Sequence, residues 1–550
     1  MLEGLVQHDH PLTIQHILDR MRRVYGDSEV VTLTDTGKER ASYTEVAGRV
    51  DRLCRALESL GVKEGDRVAT FAWNSQRHLE LYMAVPCMGA VLHMVNIRLF
   101  PEQLTYVVNH AEDKVVFVDD SLAPALAKIA DSFETVERFV VMGDGDDGGL
   151  PNAVRYEELI AEQPEGYDYP EIDDRAAAGL CYTSGTTGNP KGVLYSHRSN
   201  VLHSMATCLA DAMGVSARDR ILPVVPMFHV NAWGIPYAAA LCGADLIMPT
   251  RFLQGEPLAK LIEEEKVTVA AGVPTVWLDL LRYADENKPD LSSLRMVPCG
   301  GAAVPLSLMQ AFEERHDVNV VQAWGMTETS PLGAVAIPPE EAEGEERWDY
   351  RAKSGRVMPL VEARLMNDEG EEVPWDGEST GELHVRGPWI ASEYYRDNDP
   401  DKFDDGWLKT GDIASIDSRG FVKITDRAKD VIKSGGEWIS SAELEVHLMA
   451  HPGVSEAAVI GRPDEKWSER PLACVVCEGD ESVSPDELRE HLSSRVAKWW
   501  IPDDFAFIDE VPKTSVGKFD KKVLRKQLEE GDLEPVAADQ AAAGSASSTG

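Results

Sequence analysis

Long apolar runs are missing from this 550-residue chain: no stretch approaches the ~18 uninterrupted apolar residues that a membrane-spanning helix needs. The first residues, Met1-Leu2-Glu3-Gly4-Leu5, have neither the basic start nor the apolar core of a secretory signal. Both absences predict a cytoplasmic protein with no integral membrane association. Lysine is scarce as well: of 54 basic residues only 21 are Lys, against 94 acidic residues and a formal net charge of −40. So negative a surface repels nucleic acid and anionic membranes, which disfavours DNA, RNA and lipid-surface roles. It also repels itself unless salt screens it, and the screening length shrinks from about 10 Å at ~0.1 M to about 3 Å at ~1 M. The charge balance therefore predicts the cytoplasm of an extreme halophile.

Cysteine supplies no framework either. The eight are scattered, and the one C-x-x-C, Cys474 and Cys477, lies in a strand-like run. Residues three apart on a strand face opposite sides, and no second Cys or His pair lies nearby to complete a metal site. They read as small buried hydrophobes in a reducing compartment.

Composition is that of a globular protein, 43% hydrophobic and 27% charged. The length asks for a large layered domain plus a smaller one. Apolar, β-branched runs at 68–71, 91–95 and 115–118 alternate with a helical pattern carrying Leu79, Tyr82 and Met83, capped by Asn74 or Ser75. That alternation predicts parallel sheet with crossover helices. Residues 143–149 and 340–346 read as surface loops. After about Asp426 the texture changes: Ser440-Ser-Ala-Glu443 and Ser484-Pro-Asp-Glu487 match the capping box and each start a helix. Between them, 457–460 and 473–477 read as strands. The expected fold is α/β: a large N-terminal domain of layered, mostly parallel sheets with helices over 1–425, and a small C-terminal α+β domain over 431–530. Residues 531–550 read as a disordered tail.

The segment richest in chemistry is Tyr182-Thr-Ser-Gly-Thr-Thr-Gly-Asn-Pro-Lys-Gly192, which follows an apolar run at 176–181. Small residues there let backbone N–H groups approach anionic oxygens, hydroxyls add donors and Lys191 adds a positive charge. It is a phosphate-gripping loop but not a Walker A loop, since Pro190 stands where the second Gly belongs.

This loop resembles the signature of the adenylate-forming enzymes: acyl- and aryl-CoA synthetases, luciferases and peptide-synthetase adenylation domains. The resemblance continues in order through Pro226-Met-Phe-His-Val-Asn231, Gly300-Gly-Ala-Ala303, Ala323-Trp-Gly-Met-Thr-Glu-Thr-Ser-Pro331, Gly406-Trp-Leu-Lys-Thr-Gly-Asp412, Asp426-Arg-Ala-Lys-Asp430 and Pro512-Lys-Thr-Ser-Val-Gly-Lys518. It implies a nucleotide-binding loop of Thr183, Ser184, Gly185, Thr186, Thr187 and Gly188, with Thr183 and Glu328 toward Mg²⁺. In the segment Trp324, Gly325, Met326 and Thr327, it implies adenine stacking by Trp324, where the family usually has Tyr, and an α-phosphate contact from Thr327. Asp412 and Arg427 are implied at the ribose, Lys429 in a hinge at 426–430, and Lys433 and Trp438 near the nucleotide and the pantetheine passage. Gly301, Ala302 and Ala303 resemble pocket walls. His229 is implied where carboxylate and α-phosphate meet, although a lone His in a buried-looking run also serves as core. Trp233 and the run 235–240 suit an acyl tunnel and ordinary core equally. Lys518 is implied to approach the carboxylate and α-phosphate during adenylation.

A carboxylate oxygen is a poor leaving group, so thiol attack needs prior activation as an acyl-AMP anhydride. The resemblance implies an AMP-forming acid–thiol ligase with ATP, Mg²⁺ and CoA, acting on a medium- or long-chain fatty acid. An adenylation enzyme loading a carrier protein is the rival, with an aryl-acid CoA ligase beside it. Only 32 residues follow Lys518, too few for a carrier domain, and Phe228-His-Val-Asn-Ala-Trp233 offers no carboxylate for an amino-acid ammonium. A homodimer is left open.

Overall fold

The computed structural model describes residues 6–183, 189–434, 437–464, 466–479, 483–513 and 519–537. The chain separates into two compact units. The first comprises Met1–Ala363, Val385–Leu408 and Arg419–Val422; the second comprises Arg364–His384, Lys409–Ser418 and Lys423–Gly550.

The large unit contains a seven-stranded sheet in the order Ala153–Arg155, Arg138–Met142, Asp113–Asp119, Arg67–Phe71, Val91–Met94, Ala177–Tyr182, Gly192–Ser196. Neighbours are parallel except for the last pair. The run 115–118 shows why this sheet is sandwiched. Val115 and Phe117 point into one core with Val50, Leu53, Leu79 and Met83, while Val116 and Val118 point into another with Leu104 and Val107. Alternate residues of a strand face opposite sides, so a strand apolar at every position needs cover on both faces. Each such side chain, fully buried, contributes roughly 1.5–3 kcal/mol. The covering helix Gln76–Cys87 starts where Ser75 accepts a hydrogen bond from the His78 N–H, as the cap reading requires.

A second sheet of this unit orders Val269–Ala271, Arg220–Pro223, Asp245–Met248, Glu29–Thr34 and Gly37–Ser42, parallel except at the last pair. Single parallel bridges, Val269 with Met296 and Gly272 with Cys299, carry its hydrogen bonding on to Val297–Cys299. That strand pairs in parallel with Val320–Gly325. Six strands in a row thus end at one edge, the edge at which open α/β sheets bind ligands.

The small unit is built on Val454–Asp464 and Ser468–Cys477, a long antiparallel pair, with Ile432–Ser434 and Asp504–Phe507 beside the latter. Both strands extend well past the runs expected from sequence, because Gly461 to Asp464 and Ser468 to Pro471 still pair although these segments are made of polar residues, glycine and proline. Helices Ser441–Met449 and Pro485–Ser493 begin at Ser440 and Ser484, and the latter has the reciprocal capping box. Val475 packs under these helices and Cys474 on the opposite face. All eight cysteines are free. The expected acidic loop at 340–346 ends in a helix instead: Gly344–Ala352 places Glu345 and Glu346 in its first turn, where the helix dipole favours negative charge. Among the described residues no helix is long and apolar enough to cross a membrane.

Candidate active site

The strand Ala177–Tyr182 leads into the segment 183–191 that the sequence marks as a candidate phosphate loop. Ser184, Gly185, Thr186, Thr187 and Gly188 lie outside the described residues; the two ends of the loop do not. The Thr183 N–H donates to the Lys191 carbonyl at 2.9 Å, and the Lys191 N–H donates to Thr183 Oγ1 at 3.1 Å, closing the loop at its base. Tyr182 anchors the strand end, its hydroxyl 2.7 Å from His110 Nδ1.

Lys191 is partly buried, and its ammonium is bonded to Asp399 with Asp397 at 3.6 Å. Burial works to lower its pKa, but the hydrogen bond and charge of Asp399, helped by Asp397, outweigh this and raise it. Its Nζ also stands 4.9 Å from the centre of the Tyr394 ring, a cation–π distance.

Glu328 lies in a short turn, Thr327–Thr329, after the strand Val320–Gly325. It is 5% exposed, and its Oε1 accepts a hydrogen bond from the Tyr394 hydroxyl at 2.6 Å. Among the described residues no cation pairs with this carboxylate. Burial first, then the charge of Glu328, pushes the Tyr394 phenol far up, so it stays a donor. The Thr327 carbonyl accepts from the Tyr195 hydroxyl at 2.9 Å. Gly325 is required where it stands: a Cβ there would sit 1.8 Å from the Pro331 carbonyl oxygen. Trp324 lies with its ring against Gly333, whose Cβ would meet the indole at 2.3 Å. Met326 continues the same segment, half-buried.

His229 follows the strand Arg220–Pro223 and is half-buried, at the end of a segment stapled by Asn74. The Asn74 amide donates to the carbonyls of Pro223 and Val225, and its oxygen accepts from the Met227 N–H at 2.7 Å. The turn after His229 is not legible in the sequence. Val230, Asn231, Ala232, Trp233 and Gly234 all adopt positive φ, from 46° to 70°. Left-handed backbone costs roughly 1–2 kcal/mol for each non-glycine residue. The turn is held by the Val230 N–H on Cys181 Sγ at 3.4 Å and by the Asn231 amide on Asn200 Oδ1 at 3.3 Å. It places Trp233, 8% exposed, with its ring edge 3.5 Å from the position a Gly300 Cβ would take. Gly301 has φ +82°, and with Ala302 and Ala303 it is exposed just beyond Val297–Cys299. His229, Trp233, the Gly300–Ala303 turn and the Trp324–Glu328 turn thus all lie at the carboxyl ends of adjacent strands. The run 235–240 forms the buried helix Ile235–Cys242.

In the small unit Asp412 is 2% exposed and its Oδ1 lies 2.9 Å from Arg427 Nε. Its own N–H donates to Thr410 Oγ1 at 3.0 Å. Lys433 and Trp438 face each other across the hairpin Ile432–Ser434 and Glu437–Ile439, with Nζ 5.6 Å from the ring centre and 2.8 Å from Asp368. Together with Ala428 and Glu382 they line a cavity of ≈ 80 Å³. Lys429 is exposed, its carbonyl accepting from Arg525. Lys518 lies outside the described residues.

Sequence reasoning missed Tyr394, Asp397 and Asp399. They are brought in by long-range pairing, the Tyr395 N–H donating to the Gly192 carbonyl at 2.8 Å, and nothing local marks them.

The family described as AMP-binding enzyme matches residues 18–395, and the AMP-binding enzyme C-terminal domain matches 443–518. The chain belongs to the AMP-binding enzyme family. Within this family it is 48% identical to a long-chain-fatty-acid–CoA ligase of Thermus thermophilus, over 94% of this chain and 96% of that protein. It is 46% identical to a medium-chain-fatty-acid–CoA ligase of Ectopseudomonas oleovorans, over 95% and 96%. It is 45% identical to a 3-methylmercaptopropionyl-CoA ligase of Ruegeria lacuscaerulensis, over 94% and 98%. Among solved structures, an anthranilate CoA ligase in complex with anthranoyl-AMP superposes with a TM-score of 0.85 at 25% identity, over 96% of this chain and all of that one. The α/β fold with a large N-terminal and a small C-terminal domain is that of adenylate-forming enzymes.

Proposed function

We propose that this AMP-binding enzyme is a fatty acid–CoA ligase. It joins a medium- or long-chain fatty acid to AMP with release of pyrophosphate, then transfers the acyl group to the thiol of CoA and releases AMP. The observation that carries this reading is similarity of 46–48% to two fatty-acid–CoA ligases along almost the entire chain. The aryl-acid alternative is supported by solved structures at 25–26% identity, well below the fatty-acid–CoA ligases. The short thioether acid in the name of the Ruegeria relative belongs in the same screen.

The residues of the site suit Mg²⁺ bound through a nucleotide. Among the described residues no cluster of three or more His, Cys, Asp or Glu forms a protein cage. Mg²⁺ commonly takes one or two carboxylates, waters and substrate phosphates, and we assign it the buried Glu328 carboxylate and the Thr183 hydroxyl. When bound, the ion neutralises phosphate charge as pyrophosphate leaves. Lys191 adds a fixed positive charge for the polyphosphate, and Trp324 a flat face for adenine. Asp412, with Arg427 beside it, accepts from ribose hydroxyls. His229 polarises the entering carboxylate. Lys518 bridges carboxylate and α-phosphate in the first step, and Lys433 and Trp438 serve the CoA side in the second. Thr183, Ser184, Gly185, Thr186, Thr187 and Gly188 hold phosphate through N–H and hydroxyl groups, and Thr327 adds one more hydroxyl.

The setting we propose is the cytoplasm of an extreme halophile, from the −40 net charge. The test is an AMP-release screen over acids from acetate to palmitate, 3-(methylthio)propionate, benzoates and amino acids, in ~0.1 M and molar KCl. Fastest turnover with a saturated fatty acid, in molar salt only, is the expected result. A benzoate or amino acid turned over faster would overturn the substrate, and full activity at ~0.1 M salt would overturn the setting.

A further inference from the structure

Tyr394 touches both charged groups of the large unit's candidate site. Its hydroxyl donates to Glu328 Oε1 at 2.6 Å, and its ring face lies 4.9 Å from the Lys191 ammonium. The segment that carries it is strung between the two loops it serves. At one end the Ala391 N–H donates to the Glu328 carbonyl at 2.8 Å, and the Ser330 hydroxyl donates to the Trp389 carbonyl at 2.7 Å. At the other, the Tyr395 N–H donates to the Gly192 carbonyl at 2.8 Å, just after Lys191. Phe403 packs edge-on to the Tyr394 ring at 5.2 Å and fixes its plane.

The use of this phenol differs from that of five other buried tyrosines. Tyr43, Tyr82, Tyr195 and Tyr237 donate to backbone carbonyls, which is how a core tyrosine satisfies its hydroxyl. Tyr156 donates to a carboxylate, Glu80, but Arg49 neutralises that carboxylate at 2.7 Å. Glu328 has no such cation among the described residues, only the phenol. A buried carboxylate is paired or coordinates a metal, so Glu328 is held open for a cation that arrives with the substrate.

We propose that Tyr394 is a positioning residue for adenylation. Its hydroxyl fixes the Glu328 carboxylate for the nucleotide's Mg²⁺, and its ring face holds the Lys191 ammonium at the height of the phosphates. The proposal rests on the reading of Glu328 and Lys191 given under Proposed function. The two halves of the side chain do separate work, so two substitutions separate them. Tyr394→Phe removes the hydroxyl and keeps the face; Tyr394→Leu removes both.

Two binding constants are measured in molar salt: that of Mn²⁺ in the presence of a non-hydrolysable ATP analogue, by water-proton relaxation, and that of the analogue in EDTA. In Tyr394→Phe the Mn²⁺ constant should weaken by about tenfold, as for a lost hydrogen bond to a charged group. Its metal-free analogue binding should stay within twofold. In Tyr394→Leu both should weaken. Thioester formation from supplied acyl-adenylate and CoA should be unchanged in Tyr394→Phe. Equal weakening of both constants in Tyr394→Phe, or loss of the thioester step, would show a general structural role and overturn the proposal. Glu328→Gln and Lys191→Ala are run beside it. If Glu328→Gln weakens Mn²⁺ binding and Tyr394→Phe does not, the Tyr394 proposal alone fails. If Glu328→Gln leaves Mn²⁺ binding unchanged, the metal assignment of Glu328 fails and takes this proposal with it.

Discussion

Lys191 reaches across 208 residues of sequence to bond the carboxylate of Asp399. The ammonium to which we assign polyphosphate is thus paired with a carboxylate. The pair is partly exposed, 31% and 27% for the two side chains, so solvent screening holds its worth to about 1 kcal/mol or less. If Lys191 receives polyphosphate as proposed, Asp399 and Asp397 compete with it for the ammonium. Asp399→Asn therefore should lower KM for ATP by about threefold to fivefold without raising kcat. Steady-state kinetics across ATP concentration checks this; a higher KM would show that Asp399 aims Lys191 rather than competing for it.

The left-handed turn before Ile235 depends on a glycine. Gly234 has φ +70°, and a Cβ there would lie 2.5 Å from Nδ1 of the buried His203. Burial lowers the His203 pKa to about 4, so the ring is neutral and accepts the Leu332 N–H at Nε2, 3.3 Å away. Gly234→Ala adds a strained φ and an overlap with a ring that has another bond to keep. The expected loss is about 2–4 kcal/mol, read by denaturant unfolding in molar salt. A change under about 0.5 kcal/mol, the usual range for innocuous surface substitutions, would mean the turn is not held as described.

How much of the fold and site was legible in the sequence depends on the range of the interaction. The strands around Val115–Val118 and the helix starts at Ser75 and Ser484 follow from side-chain type and local spacing, and those expectations hold. The run 176–181 correctly placed the loop 183–191 at a strand end. By contrast, the bond from Tyr394 to Glu328 spans 66 residues, and nothing within a turn of either residue signals the other. The turn at Val230 to Gly234 was hidden for a different reason: only Asn231 and Gly234 favour left-handed backbone, and Val230, Ala232 and Trp233 are forced there by packing. The extra length of the strand pair around Gly461 and Pro471 was hidden because main-chain pairing, not side-chain polarity, sets it.

Glu445 in the small unit is a buried carboxyl. Burial raises its pKa to about 7, opposed by Lys521 at 2.7 Å and by the Val459 N–H, with the charge of Asp426 adding to the rise. The folded value therefore lies above the unfolded one, near 4.5. Such a group contributes stability fully below about pH 4.5, and the contribution is lost as pH rises through about 7. The small unit should weaken between pH 5 and 8 by an amount on the order of 2–3 kcal/mol. In Glu445→Gln that dependence should flatten. Hydrogen exchange of the Val459 amide, whose N–H donates to Glu445 Oε1, reports it locally. Equal slopes in the two proteins would assign the pH dependence elsewhere.

Lys518 carries the last prediction, which separates the two half-reactions. Three residues after it begins the helix Lys521–Glu530. That helix is tied to the segment 426–430 within its own unit: Arg525 pairs with Asp430 at 2.7 Å and donates to the Lys429 carbonyl at 3.2 Å. Lys521 bonds Ser441 Oγ at 2.7 Å, and Ser441 in turn donates to the Asp426 carboxylate at 2.5 Å. Whatever course the backbone takes at Lys429 is therefore transmitted to the start of the helix that follows Lys518 in sequence. An ammonium that bridges carboxylate and α-phosphate is worth most while charge reorganises between them. Lys518→Ala should slow acid-dependent ATP–pyrophosphate exchange by about two to three orders of magnitude, and leave thioester formation from supplied acyl-adenylate and CoA nearly intact. Lys521→Ala is the companion: it breaks the tether and keeps Lys518, so both half-reactions should fall by similar, smaller factors. If Lys518→Ala slowed both halves equally, or neither, the assignment of Lys518 to adenylation alone would be wrong.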